Sequence, residues 1–296
     1  MTASYEKPWR NAMVLPPVLA LLLLLLWKNR ALTDGIRAGL CLAGHTVLPA
    51  LFPFTVLSSY LVVLTAPAAG GRRRLPISTV PFCIGLLCGF PLGAKPACNG
   101  VRLRQWSVKD AETMLCFCNN TGIAFLIAGV GAMRGSMRDG IFLFCLQTLI
   151  ALLSGALLSI GRQRRRPAAT ATLSPMPIPR FTEVMRNAVN SSLTVTGYIA
   201  FFSGLTSVLR SMLPTSLFPY VAAALEVGGA CQALAKTPVG LPLTAFAVIF
   251  SGLSVHLQTA SFAVESGVRV FPAVIVKAVG GILGATLTIL FMRFAP

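Results

Sequence analysis

The chain has 296 residues, of which 55% are hydrophobic and 11% are charged, and its mean hydropathy is +0.77. A soluble domain carries about 25% charged residues, so this composition excludes an ordinary soluble protein and predicts an all-α polytopic membrane protein. The net charge of +17 does not indicate nucleic-acid binding, because basic residues cluster in short connections at 72–74, 102–109 and 162–166. Cytoplasmic loops of membrane proteins have this pattern, and such clusters are expected to contact anionic lipid head groups.

Seven apolar segments are long enough, or nearly so, to cross a bilayer as helices. They are residues 11–27, 38–64, 114–133, 141–160, 189–209, 241–257 and 270–292. The first resembles a signal sequence, but basic residues follow it at once without a cleavage pattern, which predicts an uncleaved helix. Two further segments, 76–97 and 217–235, contain helix-breaking proline and glycine residues. We expect about seven spanning helices plus these two as broken or re-entrant segments.

A basic, proline-rich stretch at 161–188 is predicted to be a cytoplasmic linker between two halves. It follows an N-terminal helix and connection (1–37) and separates a first repeat (38–160) from a second (189–296). Each half contains a long helix, a Gly/Pro-broken segment, a helix with polar residues in its interior, and a further helix. Paired interrupted segments in two halves indicate a transporter binding site. The distribution of basic residues further predicts that the halves are inverted in the membrane.

Glu226 is a carboxylate deep inside apolar sequence, followed by Gly228 and Gly229. An ionisable group at such a position suggests transport or ion coupling, and the glycines allow a helix to break beside a cavity. Proton coupling, cation coupling and a structural ion pair with Lys236 or Lys277 all remain open for this residue.

A second candidate element is the stretch with Gly89, Pro91, Gly93 and Lys95. Glycines around a proline break a helix, and the start of the following half-helix attracts anions. Lys95 would strengthen that attraction; alternatively, it extends to the membrane surface from a kinked helix.

Polar residues inside two apolar segments complete the candidate site. Asn119, Asn120 and Thr121 can hydrogen-bond a substrate or hold neighbouring helices together. Ser254 and Gln258 share a helix face. His256 beside them is either a binding or protonatable group, or a packed histidine.

Chemistry other than transport has little support in the chain. It has no G-x-x-x-x-G-K-[ST] loop and no convincing catalytic or metal-binding constellation, so we expect neither an enzyme nor a cofactor or metal. Glu226 together with His256 leaves an intramembrane enzyme as a third alternative.

Five motifs in order resemble the YlbJ-like (SpoVV) sporulation integral membrane proteins, which carry paired nucleoside-recognition, or Gate, domains. The matching pieces are residues 48–54, 89–95, 118–122, 225–229 and 251–258, and the match runs from about residue 39 to 290. The chain departs from the family at Ser251, where a second glycine is usual. The resemblance implies a multi-pass protein that moves dipicolinate from the mother cell across the outer membrane around the forespore. It also implies kinship with concentrative nucleoside transporters, which have inverted repeats and re-entrant hairpins.

These observations together predict a transporter of a small organic anion, which the resemblance implies to be dipicolinate. Its site would lie near the membrane midplane between the broken segments, with Lys95 attracting a carboxylate and Glu226 acting in coupling or at the helix break. The alternatives are a nucleoside or other small-metabolite transporter and a non-transporting sporulation membrane scaffold. A homo-oligomer is compatible with either.

Overall fold

The computed structural model describes residues 8–64, 78–160, 178–237 and 239–294, with side chains described except at 8–14, 50 and 62. Within these ranges every regular element is helical. The α-helices are α1 (Pro8–Trp27), α2 (Asn29–Leu42), α3 (Leu48–Leu64), α4 (Thr79–Cys88), α5 (Ala94–Arg102), α6 (Val108–Cys118), α7 (Gly131–Arg134), α8 (Met137–Ile160), α9 (Phe181–Arg210), α10 (Phe218–Leu225), α11 (Val227–Leu234), α12 (Gly240–Phe250), α13 (Gly252–Ala263) and α14 (Phe271–Phe294). Two π-helical stretches, Ala43–Val47 and Phe125–Val130, join α2 to α3 and lead into α7.

Within the described ranges, four helical stretches are long and apolar enough to cross a membrane: Met137–Ile160, Phe181–Arg210, Gly240–Ser266 and Phe271–Phe294. A fifth candidate is the pair formed by α1 and α2, which is bent by 88°. The predicted all-helical, multi-pass membrane protein is therefore confirmed. Fewer than seven segments qualify by length and composition, because the predicted spans at 38–64 and 114–133 are interrupted by π-helical or non-helical turns.

Both segments predicted to be broken form helical hairpins. Helices α4 and α5 pack against each other and both pack against α6, while α10 and α11 do the same with each other and with α12. Each hairpin arm has ten residues or fewer, which is about half of what a spanning helix needs. The two segments predicted to be broken are therefore helical hairpins whose arms are too short to cross a bilayer, and their re-entrance stays a prediction.

The two halves run in opposite directions. At one face of the bundle, Arg102 at the end of α5 pairs with Glu265 at 3.0 Å. At the same face, Glu112 near the start of α6 pairs with Arg269 before α14 at 2.7 Å. At the opposite face, the end of α7 meets the start of α12. We call residues 108–134, from α6 to α7, the first broken helix, and residues 240–263, α12 and α13, the second broken helix. The first hairpin ends and the first broken helix starts at the face where the second broken helix ends.

The apolar core joins the two halves. One cluster combines Leu126, Leu143 and Ile150 of the first half with Val227 and Val248 of the second, among other residues. Burying such side chains contributes about 1.5–3 kcal/mol each in water. In lipid, close packing and hydrogen bonds replace that driving force between helices. Close helix packing and hydrogen bonds are therefore expected to stabilise the arrangement of the helices around the site.

Helix α2 packs closely along α9 through small residues. A Cβ atom on Gly35 would lie 2.5 Å from the Cβ of Ser207, and one on Gly39 would lie 2.7 Å from the Cβ of Ser203. This is the small-residue interface that lets membrane helices approach each other. It attaches the N-terminal helices to the second half of the chain.

The observed helix boundaries differ from the sequence-based ones at two places. Residues 29–37, predicted to be a connection, are helical, because their charged side chains occupy the exposed side while Gly35 faces α9. Helix α9 begins at Phe181, so residues 181–188 belong to it instead of to the linker; Arg180 is extended and starts the helix directly after Pro179. The basic clusters at 72–74 and 162–166 and residues 76–77 lie outside the described residues.

Candidate functional site

The tip of the first hairpin lies against the break in the first broken helix. Gly89 ends α4 with φ +85° and ψ −178°, a conformation that only glycine adopts readily. A Cβ atom there would lie 2.8 Å from the backbone nitrogen of Gly122. Gly93, on the other side of Pro91, approaches the carbonyl oxygen of Cys118 so closely that its Cβ would lie 2.1 Å away. The predicted break is thus a tight turn of backbone against backbone.

Glu226 is the turn of the second hairpin. Its backbone is extended (φ −149°, ψ 125°) and lies between the end of α10 and the start of α11. Its carboxylate accepts hydrogen bonds from the backbone N–H groups of Gly228 at 2.8 Å and Gly229 at 2.5 Å. A negative charge and an acceptor at a helix start satisfy N–H groups that otherwise lack partners.

The ion-pair alternative for Glu226 does not hold among the described residues. No basic side chain pairs with it, although the residue is only 4% exposed. Lys277, a suggested partner, instead donates to the Oδ1 atom of Asn120 at 2.8 Å. Glu226 is therefore a buried carboxylate held by backbone groups alone.

The break in the first broken helix spans residues 119–122 and is held by the second half. The Nδ2 atom of Asn119 donates to the Oγ1 atom of Thr259 at 2.9 Å, and the Oγ1 atom of Thr121 donates to the carbonyl oxygen of Val248 at 2.8 Å. Asn120 is fully buried and its Nδ2 atom donates to Phe117 within its own helix. These residues mainly connect the two repeats.

The break in the second broken helix lies at Ser251 and Gly252, which have φ values of +74° and +71°. A Cβ atom on Gly252 would lie 3.1 Å from the backbone nitrogen of Glu226. The second hairpin thus meets its broken helix as the first one does. Past this break, Ser254 accepts a hydrogen bond from the Nε2 atom of Gln258 at 3.2 Å.

A cavity of about 60 Å³ lies where the two breaks meet. Its polar side chains come from both halves, with Thr46 and Thr121 from the first and Glu226 and Gln258 from the second. Gly89, Gly122 and Gly228 contribute backbone, and apolar side chains of α2, α3 and α9 close the rest. The volume exceeds that needed for a water molecule but is far below the roughly 300–1,000 Å³ of small-molecule pockets. In the described conformation the space is therefore too small for an organic solute.

The other predicted site residues lie outside this central cavity. His256 is buried and its ring packs on that of Phe250 at 5.0 Å between centroids. Pro91, Gly93, Asn119, Asn120, Ser254 and Gly229 are close to the breaks without lining the space. Lys95 is separate: it donates to the Oγ atom of Ser191 and lines a second cavity.

Buried polar atoms without a partner surround the place where the two helix breaks meet, which we call the crossing. Among the described residues, the Oδ1 atom of Asn119, the Oε1 atom of Gln258 and the Nε2 atom of His256 have no hydrogen-bond partner. Each such group costs about 1–3 kcal/mol unless water or a ligand satisfies it. A hydrated or ligand-filled crossing follows from this cost. Within the described ranges, no group of three or more His, Cys, Asp or Glu side chains is placed to hold a metal ion.

Sequence reasoning missed Gln147. Its side-chain amide on α8 accepts from the backbone N–H of Thr121 at 3.0 Å and donates to the carbonyl of the same residue at 2.9 Å. It therefore replaces the helical hydrogen bonds that the break removes. A single amide inside the apolar run of α8 was the available signal.

Comparison with known proteins provides one relative. The chain is 26% identical over 317 aligned positions to the "Sporulation integral membrane protein YlbJ" of Bacillus subtilis (strain 168), covering 88% of this chain and 77% of the relative. No protein-family model matches the chain, and no solved structure matches it. The motif-based resemblance is thereby confirmed: the protein is a multi-pass membrane protein similar to the YlbJ sporulation integral membrane protein.

Proposed function

We propose that the protein transports a small organic anion across a membrane during sporulation, and that dipicolinate moving from mother cell to forespore is its substrate. One observation carries the proposal of transport. A backbone break from each inverted half meets the other around a small cavity that contains a buried carboxylate without a cationic partner among the described residues. Irregular backbone and a lone charge at membrane depth are features of a transport pathway. The sporulation relative supports the setting.

The same residues support transport rather than catalysis. Glu226 uses both carboxylate oxygens to accept backbone N–H groups, and His256 does not line the central cavity with it. A general acid or base needs to be within hydrogen-bond reach of a reacting group. We therefore propose that the protein is not an enzyme.

Movement would proceed by opening the crossing alternately to each side. Both hairpins contact their broken helices through glycine backbone, at Gly89 with Gly122 and at Glu226 with Gly252. Two such contacts related by inversion give one closure toward each side of the membrane, as alternating access requires.

The test is dipicolinate flux into proteoliposomes containing the full-length protein, with and without a pH gradient. Glu226→Gln is expected to abolish flux, and to abolish dipicolinate accumulation in spores, while the protein stays in the membrane. Normal flux in this variant would remove Glu226 from the mechanism.

Two further variants separate the charge of Glu226 from its hydrogen bonds. Glu226→Asp keeps both the charge and the capping ability, whereas Glu226→Ser keeps only the capping ability. If the charge couples transport, Asp retains a response to the pH gradient and Ser loses it. If the residue only anchors the helix break, both variants transport.

A second candidate function has one specific observation in its favour. The central cavity offers two hydroxyls, an amide and a carboxylate but no cationic side chain. That lining suits a neutral solute such as a nucleoside. Uptake of labelled nucleoside in the same proteoliposomes, without dipicolinate uptake, would favour it, and movement of neither solute would favour a sporulation scaffold.

A further inference from the structure

A second and larger cavity, of about 420 Å³, lies away from the helix breaks. Helices α3, α5 and α9 form its walls, and Phe262 and Glu265 close one end. Its volume falls within the range for a small-molecule ligand. It opens beside Arg102 and Pro179, at the face that the charge pattern predicts to be cytoplasmic.

Polar side chains line this cavity at helical spacing on all three helices. They are Thr55, Ser58 and Ser59 on α3, Lys95, Asn99 and Arg102 on α5, and Asn187, Asn190, Ser191 and Thr194 on α9. Residues three, four and seven apart share one face of a helix. Polar stripes in apolar membrane helices face a partner or a water-filled space and not lipid, so the three stripes define one polar chamber.

The groups able to donate hydrogen bonds in this chamber are mostly cationic or amide. The hydroxyls of α3 already donate to backbone carbonyls of their own helix, and so do those of Ser191 and Thr194. The side-chain amides of Asn187 and Asn190 make no hydrogen bond to another described residue. The remaining donors are these amides and that of Asn99, together with the cations Lys95 and Arg102.

Lys95 is the deeper of the two cations. It is half-buried, donates to Ser191, and lies 5.4 Å from the ring centroid of Phe262. No carboxylate pairs with it among the described residues. A desolvated ammonium that has only a hydroxyl and a ring as neighbours is well placed to receive an anion.

Arg102 is the outer cation, and in this conformation it forms an ion pair with Glu265. The two side chains pair at 3.0 Å, with 56% and 65% of their side chains exposed. An exposed pair of this kind is worth little, so a ligand carboxylate can replace Glu265. Arg102 lies seven residues after Lys95, which is about 10 Å along the helix axis. Two long cationic side chains at that spacing can contact the two ends of one small molecule.

We propose that this chamber is an anion-binding vestibule for a small dicarboxylate, in which Lys95 and Arg102 each bind one carboxylate and Phe262 packs against the ligand. The proposal rests on the proposed function, to which it adds the place of anion recognition. It also explains how an anion transporter has no cation in its central cavity: the substrate is captured at the cytoplasmic chamber before it reaches Glu226.

The experiment is equilibrium binding of radiolabelled dipicolinate to the purified full-length protein in detergent. Lys95→Met is expected to weaken binding by about ten- to a hundredfold, because a hydrogen bond to a charged group contributes about 1.5–3 kcal/mol. Lys95→Arg is expected to retain most of the affinity. Lys109→Met is the matched control, since it removes the same charge from the same face outside the chamber, and binding should stay within about twofold of wild type.

Two more variants test the chamber without touching Lys95. Glu265→Gln is expected to tighten binding because it releases Arg102. Asn187→Ala removes an amide that bonds no described side chain, so the fold is retained and weaker binding is expected. Wild-type protein that binds dipicolinate no more tightly than Lys95→Met overturns the proposal, whatever the flux.

The outcomes separate this proposal from that of transport. Lys95-dependent binding without flux in proteoliposomes leaves the vestibule standing and overturns transport of dipicolinate. Flux that is unchanged in Lys95→Met, together with unchanged binding, leaves transport standing and overturns the vestibule.

Discussion

At the scale of single residues, Ser251 holds a backbone conformation that suits glycine. Its φ of +74° places a side-chain-bearing residue in the left-handed region, which costs roughly 1–2 kcal/mol. Its hydroxyl makes only long contacts of 3.4 and 3.5 Å to carbonyl oxygens.

Ser251→Gly is therefore expected to stabilise the protein by about 1 kcal/mol, the strain relieved less the extra freedom of the unfolded chain. Thermal unfolding in detergent, followed by tryptophan fluorescence, measures the change. Ser254→Gly is the control, because it places glycine inside α13 and should destabilise by about 1 kcal/mol. An unchanged or lower unfolding temperature in Ser251→Gly would show that the serine hydroxyl offsets the strain.

Residues differ in how far the sequence predicts their roles. Glu226 and the glycines around both hairpin turns were identifiable because a charge or a helix breaker in apolar sequence is locally unfavourable. Lys95 was predicted to share one site with Asn119 and Gln258. In the structure its ammonium group instead contacts Ser191 and the ring of Phe262. Which face of a short helix meets which partner depends on tertiary packing, and a single sequence does not contain that information.

At the scale of elements, the first hairpin depends on two glycines that contact one carbonyl group. A Cβ atom on Gly85 would lie 1.7 Å from the carbonyl oxygen of Cys118, and one on Gly93 would lie 2.1 Å from the same atom. The obstacle is backbone, so no side-chain rotation can relieve the clash. The hairpin and the broken helix must separate before a larger residue fits.

Gly85→Ala is expected to destabilise the protein by about 3 kcal/mol, at the upper end of overpacking effects, and to reduce the yield of monodisperse protein. Gly197→Ala on α9 is the matched control, because a Cβ atom there meets nothing within 4 Å. That control should be neutral or stabilising by up to about 1 kcal/mol. Equal behaviour of the two variants in a thermal unfolding assay would contradict the observed hairpin packing.

Helix breaks were more predictable than helix boundaries. The sequence predicted the interruptions near Gly89 and Glu226, and the structure has both. It also has interruptions after Cys118 and at Ser251, inside segments that were predicted to be spanning helices. The same reasoning ended the first connection at residue 37, although α2 already begins at Asn29. Glycine and proline act through local backbone geometry, whereas the start of α2 depends on the surface of α9 against which Gly35 packs.

At the scale of the whole molecule, the two halves are inverted, and the positions of the loops follow from that. The start of α6 and the start of α9 belong to the face with Arg102, while the end of α11 belongs to the opposite face. The basic residues of the first face predict that it is cytoplasmic.

Single cysteines at three exposed positions test this arrangement. Lys109→Cys and Arg180→Cys are expected to react with a membrane-impermeant thiol reagent from the cytoplasmic side, and Lys236→Cys only from the other side. The parent for all three should lack the exposed native thiols Cys41, Cys83 and Cys145. Labelling of Lys109→Cys and Lys236→Cys from the same side would exclude the inverted arrangement.

The contacts at the two hairpin turns consist of backbone on both sides. Gly89 meets Gly122, and Gly252 meets the peptide of Glu226. Because both contacts are made by main chain, they do not depend on the side chains that would bind a particular solute. If the proposed transport holds, the parts that move and the parts that recognise the solute are different residues. Changes at Thr121, Gln258 or the chamber residues are then expected to alter solute selectivity while the glycines at both turns stay in place.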